Sequence, residues 1–155
     1  MENISKHISY KEATHSNTAI KRKIKNVPDA IQLANMKLLA EKVFEPLREK
    51  IDNPIRVSSF FRSVTLNKAI SGSSTSQHTA TNGAAMDLQA IKGATNRDIF
   101  DYIKDYLTFD QLIYEFGDSR IPAWVHVSYK KEGNRNQILK AIKINGKTKY
   151  IKWEE

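Results

Sequence analysis

The sequence predicts an α+β domain, a small antiparallel sheet flanked by helices, in which residues 1–155 form a single unit. Three observations carry that expectation. Stretches beginning at Asp29 and at Thr95 repeat apolar residues at helical spacing. Short β-like runs (IRVSSF, AAMDLQ, QLIYEF and AWVHVSY) are bounded by Asn, Gly or Pro. A chain of 155 residues can bury one substantial core and is short for two.

In chain order, residues 1–26 are polar without a clear period and read as an N-terminal arm over the domain. His7 and His15 fall there, in polar settings that suit surface histidines. Pro28, Asp29 and Gln32 form a capping-box-like helix start. Ile31, Ala34, Leu38, Leu39, Val43, Phe44 and Leu47 should share its apolar face, and Pro46, lacking an amide donor, should end or kink it.

Ile55 to Phe60 reads as a strand, Ser63 to Ile70 as a short helix, and Ser71 to Thr75 as a flexible loop. Ala84 to Gln89 is a second strand entered through Gly83. Thr95 to Leu107 is a second amphipathic helix, with Ile99, Tyr102, Ile103 and Tyr106 on one side. Gln111 to Phe116 and Ala123 to Tyr129 are two strands joined by the turn-rich GDSRIP. Side-chain alternation puts Trp124 and His126 on one face and Val125 and Val127 on the other. If the valines join Leu112 and Tyr114, Glu115 lies on the face of His126 in two of three plausible registers. Residues 130–155 read as a basic C-terminal hairpin extension around Asn145-Gly146, with one buried and one cationic face.

Composition narrows the chemistry. There is no cysteine, so disulfides, iron–sulfur clusters and thiolate metal sites are excluded. The N-terminus has no apolar core of a signal peptide and no run is long enough to span a bilayer, so synthesis in the cytoplasm without an export signal is expected. The formal charge is +8, and residues 130–155 hold eight Lys or Arg against three Glu. Basic surface of this kind suits an anionic partner or a solvated face.

The residues that bear chemistry cluster in Ser58 to Leu88 (SSFFRSVTLNKAISGSSTSQHTATNGAAMDL) and around His126. His78 sits in a polar loop where packing gives no reason for an imidazole. Asp87 interrupts a run of small and apolar residues on a predicted strand, where an unpaired carboxylate is costly. Two histidines and one carboxylate form a candidate three-ligand metal site with a position open for water.

The ordered set SSFFRS (58–63), LNKAISGSSTSQH (66–78), GAAMD (83–87) and WVHVSY (124–129) resembles the M15 family of zinc D-alanyl-D-alanine peptidases. That family includes D,D-carboxypeptidases and phage endolysins that cut peptidoglycan stem peptides. The resemblance runs to about Tyr129 and implies a hedgehog/D,D-peptidase-like fold. It implies Zn²⁺ on His78, Asp87 and His126, with Arg62 engaging an anionic part of the substrate and Ser76 hydrogen-bonding near the scissile amide. Two departures stand out. Eight residues separate His78 from Asp87, two more than is usual in the family, and Ala123 occupies the position where many members carry their catalytic carboxylate. Glu115 is therefore the expected general base, with Asp118 second.

The resulting expectation is a zinc metallopeptidase acting on peptidoglycan, a phage or bacterial lytic enzyme that reaches the wall after release. It is expected to be a monomer, with an anionic wall polymer as a further partner for the basic tail. A non-enzymatic basic binding module for cell wall or nucleic acid is the alternative. Fe(II) oxygenases also use two histidines and a carboxylate, but their close His-x-Asp pair is absent.

Overall fold

The computed structural model describes residues 2–155. The N-terminal arm is ordered into two short helices, α1 (Tyr10–Thr14) and α2 (Asn17–Arg22), each started by a serine that caps a backbone amide. Ile4, Ile8, Ala13 and Ala19 are buried, and Ser5 and His7 both bind the Glu45 carboxylate. His7 and His15 lie away from the candidate ligands, as their polar settings suggested.

Asp29 and Gln32 cap α3 (Ala30–Leu39) reciprocally, as expected. The helical path does not stop at Pro46. A π turn over Ala40–Phe44 leads into α4 (Glu45–Ile51), and Pro46 sits in the first turn of α4, where a missing amide is tolerated. The buried side chains are Met36, Leu39, Ala40, Val43, Phe44 and Leu47, whereas Ile31 is 71% exposed and Ala34 is also exposed. Ile31 and Ala34 fall on the opposite side of the helix from Met36, Leu39 and Ala40, whereas Leu33 in the same first turn packs against the core.

Six strands follow: β1 (Ile55–Ser59), β2 (Ala84–Ala90), β3 (Gln111–Glu115), β4 (Trp124–Tyr129), β5 (Gln137–Ile144) and β6 (Lys147–Lys152). Between them lie α5 (Val64–Ala69), a single 3₁₀ turn at Gln77–Thr79, and α6 (Asn96–Tyr106). Their spatial order is β1-β2-β4-β3-β5-β6. The sheet is mostly but not wholly antiparallel, since β3 and β5 run parallel. The reason is topological. β2 occupies one edge of β4 and β3 the other, so the returning strand takes the free edge of β3 and points the same way.

Helices α3 and α6 pack on one face of the sheet. Met86, Leu88, Leu112, Tyr114, Val125 and Val127 point into that layer and are all at most 1% exposed. In α6, Ile99, Phe100 and Ile103 supply the buried face; Tyr106, placed on it by periodicity, is 75% exposed at the helix end.

The C-terminal hairpin departs from the expected pattern. Lysines lie on both of its faces: Lys140 stands 5.3 Å over the Tyr114 ring and Lys143 5.5 Å over Phe116. Lysines spaced three apart cannot all face one way on a strand with a two-residue repeat. Trp153 anchors the end of the chain against Phe100 on α6, with ring centroids 5.1 Å apart.

Candidate metal centre

The open face of the sheet forms the floor of a cleft of about 1040 Å³. Asp87, His126 and Ile113 are successive register partners across β2, β4 and β3 and project from that floor. The odd-numbered positions of β2 face the cleft because Met86 and Leu88 are committed to the core.

Each candidate residue reaches the cleft by a local device. A bulge at the end of β1 sets Ser59, rather than Ser58, opposite Asp87 and turns the chain toward Arg62. The Arg62 amide then donates to the His78 carbonyl at 2.9 Å. Ser76 Oγ accepts from the His78 amide at 3.3 Å and caps the 3₁₀ turn that presents the imidazole. Gly83 enters β2 at φ +78°, and a Cβ there would lie 2.4 Å from the Tyr129 carbonyl oxygen. A glycine is thus required where β2 meets β4.

His78, Asp87 and His126 each offer a donor atom, and these three atoms all lie within 4.8 Å of one another. Asp87 Oδ1 is 3.4 Å from His78 Nε2 and 3.0 Å from His126 Nδ1. The residues between His78 and Asp87 are taken up by the turn from Ala80 to Gly83, so the longer spacing does not separate them. Nδ1 of His78 is 2.7 Å from the Phe60 carbonyl oxygen, which can only accept, so this nitrogen carries the proton.

This geometry fits a cation. Burial holds the His78 imidazole below its usual pKa against the opposing pull of Asp87. Burial pushes Asp87 up, but the His78 and His126 imidazoles outweigh it and hold the carboxyl well below the usual range. The lone pair of a neutral His78 therefore faces an ionised oxygen with no proton between them, which a shared divalent ion would relieve. Two imidazoles and a carboxylate suit a divalent transition metal, and the hydrogen bond to Phe60 orients the ring as metal-binding histidines usually require.

Glu115 lies one cleft-facing position along β3 from Ile113, the partner of His126, so it stands diagonal to that histidine on the same face. It is 6% exposed. Burial raises its carboxyl to about 7, with His126 opposing and Asp87 reinforcing the rise. Asp118 does not join the cleft wall. It is spent on the β3–β4 turn, where its Oδ1 accepts from the Arg120 and Ile121 amides. Arg62 lines the cleft and makes a 3.4 Å contact with Ser59 Oγ, leaving most of its donors open. Trp124 also lines it, packed against Phe116 at 5.3 Å.

The sequence reading missed two groups of lining residues. One is Asp110, fully buried, which takes two hydrogen bonds from the Arg135 guanidinium and one from Gln77 Nε2. It ties the turn bearing His78 to the start of β3. An acidic residue just ahead of an apolar strand was the available signal. The other group, Leu139, Thr148 and Tyr150, comes from the C-terminal hairpin.

A family model described as Peptidase M15 matches residues 6–128. No curated protein matches the chain. The matched segment includes His78, Asp87, Glu115 and His126 and ends before β5.

Proposed function

The chain belongs to the peptidase M15 family, and on that premise we propose that it hydrolyses an amide bond in peptidoglycan stem peptides as a zinc-dependent enzyme. The observation that carries the reading is the convergence of His78, Asp87 and His126 on one point of the cleft floor, with Glu115 beside them. In this reading His78, Asp87 and His126 hold the ion. When bound, zinc acidifies a coordinated water and polarises a carbonyl.

The protein's own groups do the rest. Glu115, buried and close to neutrality in its pKa, accepts a proton from the attacking water and returns it to the leaving amine. Arg62 offers a planar, permanently charged fork to a substrate carboxylate. Ser76, whose Oγ already accepts from the His78 amide, keeps its own O–H free to donate to the bound peptide. His78 and Glu115 are buried, which strengthens their electrostatic contacts relative to open water.

The substrate scissile bond is either the terminal D-Ala–D-Ala link or an L-alanyl–D-acid link within the stem. Product mapping on purified peptidoglycan and on a soluble stem pentapeptide tests both. Release of either fragment by the zinc-loaded protein, and none by the chelated protein, is the expected result. Absence of cleavage in both substrates would contradict the reading. The exposed lysines of β6 would retain the enzyme on an anionic wall polymer. That fits a lytic enzyme acting after release. Replacing them with glutamine should weaken sedimentation with cell walls and leave cleavage of the soluble peptide intact.

A further inference from the structure

The C-terminal hairpin lies beyond the family-matched segment, yet it supplies one wall of the cleft. Its register is informative. Trp124, Glu115, Ala141 and Tyr150 are successive partners across β4, β3, β5 and β6. Partners in a pleated row face the same way, so Tyr150 projects on the side of Glu115. Between them stands Ala141, a fully buried residue whose single methyl leaves room for the tyrosine ring to lean inward. A longer side chain there would prop the ring away from the floor.

Tyr150 is the only aromatic residue that the hairpin contributes to the cleft among the described residues, since Trp153 packs against α6 instead. Roughly half of its surface is open, and no protein group accepts from its hydroxyl among the hydrogen bonds of the described residues. Arg62 enters from the opposite edge of the sheet, after β1. Both line the same cleft, and partial burial together with Glu115 and Asp87 keeps the phenol protonated. The floor between them presents carboxylates and imidazoles, so a bound anionic oxygen finds its donors on the two walls.

We propose that Tyr150 is a substrate-binding residue whose hydroxyl donates a hydrogen bond to the peptide carboxylate engaged by Arg62, making the hairpin a specificity wall for carboxylate-bearing peptides. This rests on the peptidase reading for the choice of ligand but not on turnover. A neutral phenol suits this place, because it adds a donor without a second positive charge beside the metal ligands. Phenol donors to a charged acceptor contribute strongly when both are partly shielded from water.

Equilibrium binding tests it in zinc-loaded protein carrying Glu115→Gln, which slows cleavage enough for binding to be read. The probes are a stem pentapeptide ending in D-Ala-D-Ala and the same peptide with its carboxylates amidated in turn. Adding Tyr150→Phe should raise the Kd of the free-acid peptide about 10-fold or more. It should leave the Kd of one amidated form nearly unchanged, with zinc content and melting temperature unaltered. Equal Kd values for the free acid with and without the hydroxyl would overturn the proposal, as would no binding to either protein. A Tyr150→Leu protein that loses affinity equally for acid and amide would also overturn it, since the ring would then act only as an apolar wall. Cleavage by the unsubstituted enzyme is scored separately, so failure of the peptidase reading and failure of this inference remain distinguishable.

Discussion

Asp87 on β2 and His126 on β4 are register partners, and Nδ1 of the histidine lies 3.0 Å from Oδ1 of the carboxylate. Strand pairing alone therefore brings together two candidate ligands 39 residues apart in sequence. His78 completes the set from a 3₁₀ turn held by Phe60, Arg62 and Ser76. The site is thus built on the rigid middle of the sheet with one ligand on a braced loop.

Glu115→Gln should retain the fold and the bound metal but lower kcat by about 10²- to 10⁴-fold, the range associated with a positioned general base. In the parent protein kcat/KM should rise with pH as the carboxyl loses its proton. That limb lies at or below the value of about 7 held by Glu115 without a cation nearby. Steady-state kinetics and metal analysis on both proteins check this.

The same residue should trade stability for activity. A carboxyl whose pKa is raised on folding stabilises the fold at low pH and loses that contribution as pH climbs through the raised value. Metal-free Glu115→Gln should therefore be more stable than its parent at pH 8, by roughly 2–3 kcal/mol, and no more stable below about pH 4. Chemical denaturation at the two pH values gives the difference.

Much of this centre was legible in the chain. Period-two alternation put His126 and Glu115 on one face, and the β3–β4 register bears that out. Asp87 stood out because a carboxylate inside a strand of small residues needs a partner. The wall built by Tyr150 was not legible, since it depends on β5 pairing parallel to β3, a non-local choice made by which sheet edge is free. Ile31 misled for a related reason. Its spacing with Ala34 suits a helix face, but that face is turned away from Met36, Leu39 and Ala40, and only the packing on the sheet decides which side is covered.

Asp110 and Arg135 should brace the turn that carries His78. Burial would raise the Asp110 carboxyl, but hydrogen bonds from Arg135 and Gln77 outweigh it and hold the group at about 2. Removing Arg135 should destabilise the protein by about 1–2 kcal/mol, discounted for the water around the half-exposed guanidinium. The lowered pKa sets the sign. The difference between parent and Arg135→Ala should be full above about pH 4 and shrink as pH falls toward 2. Urea titrations across that window check it.

Gly83→Ala should be among the more damaging single-methyl changes. The added Cβ meets a backbone carbonyl at 2.4 Å and the residue must keep φ near +78°. A loss of about 1–3 kcal/mol is expected, with weaker metal binding because Asp87 lies four residues on. Thermal melts and metal affinity measured on the same preparation test both effects.

The central claim is that His78, Asp87 and His126 share one divalent ion. Calorimetric titration of Zn²⁺ into the chelator-stripped protein, and into His78→Ala, Asp87→Ala and His126→Ala, tests it most directly. The parent should bind one ion per chain, and each variant should lose at least about 100-fold in affinity, beyond the 10- to 100-fold typical of outer-shell changes. Undiminished zinc binding in any one of the three variants would contradict the account.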